Sequence, residues 1–281
     1  MPIPVEILQA VDNADVRAVE RWLDAGGDVD LTVAHAVDSD AVDDGGMTLL
    51  ARCLRPGDDY YVSTTEAHLL VGRMLLARGA DPDVYNVGYS TLISEASYLR
   101  YCGDDLVYKW LRLLLSAGAN VNAREMLSFH ECECEAPLLA RVLYYFYEGG
   151  GSISLSKRLV LATLLLRAGA AAVDNIVDTQ SASWCLERAL ANRPDLAQNE
   201  HFLATQKLVA GVTEAGSYKK WVRSPHRSVL RLRSLVARGR ATPKKRSSRG
   251  RDARAKHAIA FLLELGDNGT AWNILSFWKE A

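Results

Sequence analysis

The chain has 281 residues, 49% hydrophobic and 24% charged, with a formal net charge of −1. That balance excludes a collagen-like or wholly disordered chain. The longest largely apolar run, 159–166, is too short to cross a bilayer.

Five cysteines and an acidic N-terminal stretch without a long apolar core predict free thiols in an intracellular compartment, cytoplasmic or nuclear. The near-neutral total hides an asymmetry. Residues 1–218 hold 17 Lys/Arg and 30 Asp/Glu, a net of −13. Residues 219–258 hold 15 Lys/Arg and a single acid, Asp252, a net of +14. An acidic body followed by a basic stretch predicts two parts with different work.

From the N-terminus, apolar spacing predicts a helix pair over Val5 to Ala14 and Val16 to Ala25. An acidic loop over 31–45 follows. A second unit runs from about Gly46 to Asp83, with an insertion near Arg55 to Thr65. A third runs from Gly88 to Asn122. A fourth runs from Ala136 to Asp174, with Gly149 to Gly151 inserted between its helices. A fifth, weaker pair starts near Ser181 and continues to about Ala215.

Four of these units end alike. The endings are Arg21-Trp-Leu-Asp-Ala-Gly-Gly-Asp-Val-Asp30, Met74-Leu-Leu-Ala-Arg-Gly-Ala-Asp-Pro-Asp83, Leu113-Leu-Leu-Ser-Ala-Gly-Ala-Asn-Val-Asn122 and Leu164-Leu-Leu-Arg-Ala-Gly-Ala-Ala-Ala-Val-Asp174. In the third copy Val107, Trp110, Leu111, Leu114 and Leu115 recur at helical spacing and form one stripe. Gly26, Gly79, Gly118 and Gly169 then stand where a helix stops in a left-handed turn that glycine adopts without strain. The Asp and Asn residues after them suit tight turns, because their side chains bond nearby amides. Upstream, Gly46-Met-Thr-Leu-Leu50, Gly88-Tyr-Ser-Thr-Leu-Ile93 and Glu135-Ala-Pro-Leu-Leu139 place a hydroxyl or proline before an apolar run, which is a helix start. The unit is therefore a turn, a short helix, a loop, a longer helix and a glycine stop.

These endings and openings resemble the ankyrin repeat over roughly residues 5–190. The resemblance implies an all-α solenoid of four to five stacked helix pairs. It also implies a non-enzymatic protein–protein interaction module, binding through its concave face and inserted loops. The chain departs from the family in three ways. The glycines are 53, 39 and 51 residues apart, where a period near 33 is usual. Ala51, Ile93 and Leu139 replace the opening histidine. The fourth ending carries Ala170 to Ala172, with its acid displaced to Asp174.

Tyr60 and Tyr61, Tyr85 and Tyr89, and Phe129 fall in inserted loops and are the contact candidates, since tyrosine offers area at low entropy cost. His130-Glu-Cys-Glu-Cys-Glu135 is the one cluster with metal-ligand chemistry. Its ligands crowd six residues without a second pair, so no metal is expected. Cys53, Cys102 and Cys185 fall in or near helices and read as small core residues. Glu148-Gly-Gly-Gly-Ser-Ile-Ser-Leu-Ser-Lys157 lacks the ending of a phosphate loop. No catalytic constellation and no cofactor site is read from the sequence.

The array is assigned to 1–216, a basic amphipathic helix to 217–241, a disordered basic linker to 242–256 and an apolar helical segment to 257–281. Basic residues near 244–251 match an import signal. The same stretch could contact anions, although few aromatics interleave with it, which argues against nucleic acid. Segments 228–238, 259–265 and 272–277 loosely resemble the SOCS box, with Leu265-Gly266 where a Leu-Pro pair is expected. That resemblance implies, as an alternative function, a substrate-recruiting adaptor of a ubiquitin ligase.

Overall fold

A computed structural model describes residues 3–33, 47–56, 64–86, 90–97, 99, 102–129, 132–148, 154–172, 181–224, 231 and 234. Segment 257–281, which carries the adaptor alternative, and the linker 242–256 lie outside the described residues. By contacts the chain divides into Met1–Thr213 and Glu214–Ala281.

The first unit is mostly helical. Its helices come in successive pairs: α1 (Val5–Asp12) with α2 (Val16–Asp24), α3 (Leu49–Leu54) with α4 (Glu66–Ala77), α5 (Leu92–Ser97) with α6 (Asp104–Ser116), and α7 (Leu138–Glu148) with α8 (Leu155–Ala168). A further helix, α9 (Ala182–Asn192), packs on α7 and leads through a 3-10 turn at Pro194–Gln198 into α10 (Glu200–Ala215). First helices pack on first helices, α1 on α3 and α3 on α5. Second helices likewise run α2, α4, α6, α8. In the second unit, residues 218–224 are helical, and the Tyr218 and Trp221 rings lie 5.7 Å apart.

Local chemistry sets the helix ends. Asp15, Thr48, Ser154 and Ser181 each accept a bond from the amide three residues on, satisfying a donor that the helix start leaves free. The second helices stop at Gly26, Gly79, Gly118 and Gly169, with φ of +93°, +94°, +97° and +105°. The amide after each glycine reaches back five residues: Gly27 to Trp22, Ala80 to Leu75, Ala119 to Leu114 and Ala170 to Leu165, at 2.9–3.1 Å. This is the Schellman closure. The first copy has glycine rather than alanine at the reaching position because of Trp22. A Cβ on Gly27 would lie 2.5 Å from the Trp22 ring.

Three short antiparallel hairpins stand where the sequence reading has loops. They are β1 (Thr32–Val33) with β2 (Met47–Thr48), β3 (Tyr85–Asn86) with β4 (Ser90–Thr91), and β5 (Arg124–Phe129) with β6 (Cys132–Pro137). Each begins six residues after a stop glycine and ends at the residue before a first helix. Thr32 pairs with Thr48, Tyr85 with Thr91, and Arg124 with Pro137. Two-residue strands carry no readable period. The third hairpin does carry one, the Cys-Glu-Cys-Glu alternation of 132–135, which suits a strand better than a ligand cluster.

The core lies between the two helix rows. Leu49, Leu50, Leu54, Leu92, Ile93 and Leu138 of the first helices and Leu75, Trp110, Leu111 and Leu114 of the second are fully buried. Val107 completes that stripe on α6, and Leu115 lies at its part-exposed edge. Gly72 on α4 gives Trp110 its space, since a Cβ there would sit 2.4 Å from the indole.

Candidate interaction surface

The turn after each stop glycine builds a hydrogen-bond chain along the array. Two residues past the glycine, Asp28, Asp81 and Asn120 each accept from the amide two positions on, at 2.9–3.1 Å. These are Asx turns. Four residues past the glycine, Asp30, Asp83 and Asn122 each reach the next unit. Asp30 accepts from the Asp81 amide at 2.9 Å, Asp83 from the Asn120 amide at 2.7 Å, and Asn122 from the Ala171 amide at 2.8 Å. Asn122 also donates to the Gly169 carbonyl at 3.3 Å. Ala171 has no side chain to close the next Asx turn. The alanines of the fourth ending therefore stop this pattern.

A second junction ties α1 to both helices of the next pair. Arg52 on α3 grips Asp12 with Nε on Oδ1 at 2.6 Å and Nη2 on Oδ2 at 2.8 Å. His68 on α4 lies 5% exposed. Its Nδ1 accepts from the Thr65 amide at 3.1 Å, which leaves Nε2 to donate to the Asp12 carbonyl at 3.1 Å. The sequence reading gave Arg52 and His68 no role. A usable signal existed for each. Thr65-x-x-His68 is a capping-box spacing. Arg52 and Arg141 occupy the same place in the repeated Leu-Leu-Ala-Arg. Arg141 in turn donates to Ser94 on the preceding first helix.

Apart from α1, the first helices leave little open surface among the described residues. All six residues of α3 are buried, as are Leu138–Tyr144 of α7, and on α5 only Glu95 is partly open. Exposed side chains concentrate on the second helices. Ion pairs link these helices in series. Arg78 meets Asp24 at 2.6 Å and Glu20 at 3.3 Å, Lys109 meets Glu66 at 2.5 Å, and Lys157 meets Asp105 at 2.6 Å. The Lys157 ammonium holds the Asp105 carboxyl below the usual carboxylate range.

The contact candidates fall unevenly. Tyr60, Tyr61 and Tyr89 lie outside the described residues. Tyr85 is in β3 and Phe129 in β5, paired in register with Thr91 and Cys132. Cys53, Cys102 and Cys185 are buried thiols outside any disulfide. Burial, and then the nearby Asp12 charge, push the Cys53 thiol well above its usual range. Burial also raises that of Cys102. Among the described residues no group of three His, Cys, Asp or Glu is placed to hold a metal ion. No helix among them is long and apolar enough to cross a membrane. No protein-family model matches the chain, and no curated protein matches it.

Proposed function

We propose that residues 1–216 form an ankyrin-type helical repeat whose work is to bind another protein, without catalysis. One observation carries this reading. The residue four past each stop glycine bonds the amide two past the next, at Asp30–Asp81, Asp83–Asn120 and Asn122–Ala171. Equivalent side chains thus join neighbouring units in one register despite loop insertions of different length. Repeat arrays of this kind offer an extended surface assembled from neighbour-to-neighbour contacts.

Burial of α3, α5 and Leu138–Tyr144 of α7 moves the contact surface away from them. The reading therefore places partner contacts on the inserted loops with Tyr60, Tyr61 and Tyr89, on the hairpins with Tyr85 and Phe129, and on the exposed second helices. Affinity capture with the full chain, followed by mass spectrometry, tests this. Proteins that bind saturably to the native chain and are lost from a Tyr60→Ala/Tyr61→Ala/Tyr89→Ala variant would support it. A native chain that retains no protein above a heat-denatured control would refute it.

A further inference from the structure

We infer that the outer side of α2, α4 and α6 is a docking surface for an acidic, extended segment of a partner protein. This rests on the protein-binding reading and assigns it a place and a chemistry. Residues 1–218 carry a net charge of −13, yet α2, α4 with Arg78 and α6 together carry +1. The described acids on these helices already have cationic partners: Glu20 and Asp24 hold Arg78, Glu66 holds Lys109, and Asp105 holds Lys157.

Arg17, Arg21, Arg73 and Arg112 are left over. All four are exposed and none has an acidic partner among the described residues. Their positions are related by the repeat. Arg73 and Arg112 each stand six residues before a stop glycine, Gly79 and Gly118, and Arg21 stands five before Gly26. Arg73 and Arg112 therefore hold equivalent places on two adjacent helices, with Arg21 one residue out of step on α2, where Glu20 takes the equivalent place. Packed helices lie about 10 Å apart. An extended chain rises about 3.3 Å per residue, so a carboxylate at every third residue meets successive helices. Guanidinium groups favour carboxylates through paired, charge-assisted bonds. Leu70 is one helical turn before Arg73 and 52% exposed, giving this surface an apolar contact beside Arg73.

The test uses the full chain and fluorescence anisotropy with a labelled peptide carrying glutamate at every third residue. A labelled single-stranded DNA serves as the second probe, because the basic stretch 219–256 offers anions a competing site. Arg73→Glu/Arg112→Glu should weaken peptide binding about tenfold or more. Arg73→Gln/Arg112→Gln should weaken it less, with an unchanged circular dichroism melt. Lys244→Glu/Lys245→Glu/Arg246→Glu should leave peptide binding within about twofold and reduce DNA binding. No peptide binding by the native chain, equal peptide affinity in the Arg73/Arg112 variants, or loss of DNA rather than peptide from them would each overturn the inference. Partners captured equally by native and Arg73→Glu/Arg112→Glu chains would remove this surface and leave the protein-binding reading standing.

Discussion

Arg52 and Asp12 lie 40 residues apart in sequence and meet through two parallel bonds of 2.6 and 2.8 Å, with side chains 10% and 24% exposed. The pair fastens α1 to α3, while the Asp12 carbonyl takes the His68 imidazole from α4. Asp12 thus ties α1 to both helices of the next pair through its side chain and its backbone.

Asp12→Ala should destabilise the first unit by about 2–3 kcal/mol, because it strips a largely buried guanidinium of its bidentate partner. Asp12→Leu/Arg52→Met should recover most of that loss. Urea unfolding of the single and double variants measures both effects. Equal stability of Asp12→Ala and the native chain would contradict the role given to this pair.

The chain of Asx bonds predicts a graded effect. Asp83→Ala removes the acceptor for the Asn120 amide and should cost about 1 kcal/mol, whereas Asp83→Asn keeps the acceptor and should cost little. Asn122→Ala removes bonds to both Ala171 and Gly169, and should cost about 2 kcal/mol. The order of the three midpoints in urea is the readout.

Gly72 is required by its neighbour rather than by its backbone. Gly72→Ala should destabilise by about 1–3 kcal/mol through overpacking against Trp110. Trp110→Leu alone should destabilise by leaving a cavity, and the two changes together should lose less than their sum. Thermal melts of the four chains give the coupling. Additive losses would mean that the contact carries no energy.

Cys53 sets a pH dependence with a definite sign. Its thiol is raised above the ordinary 9.0 by burial and by Asp12. The folded form therefore keeps a proton that the unfolded chain releases. Its contribution is fully present below pH 9 and declines as pH rises beyond it, by at most about 1.4 kcal/mol per pH unit. The native chain should lose stability faster than Cys53→Ala between pH 9 and 10, and Cys53 should resist alkylation until the chain unfolds. Parallel pH slopes for the two chains would contradict this.

The sequence by itself determined where the first helices of the later pairs start and where the second helices stop. These are short-range matters: a stripe at helical spacing such as Val107, Trp110, Leu111 and Leu114, a capping Thr or Ser, and a glycine that turns left without a Cβ penalty. It also singled out the Asp and Asn of the turns, but not their partners. Only the tertiary structure decided that Asp30 serves Asp81, that Arg52 crosses to Asp12, that Gly72 yields to Trp110, and that charge on the second helices is sorted into paired acids and leftover arginines. Those choices depend on which units become neighbours. Spacings of 53, 39 and 51 residues between stop glycines hide that period from a linear reading.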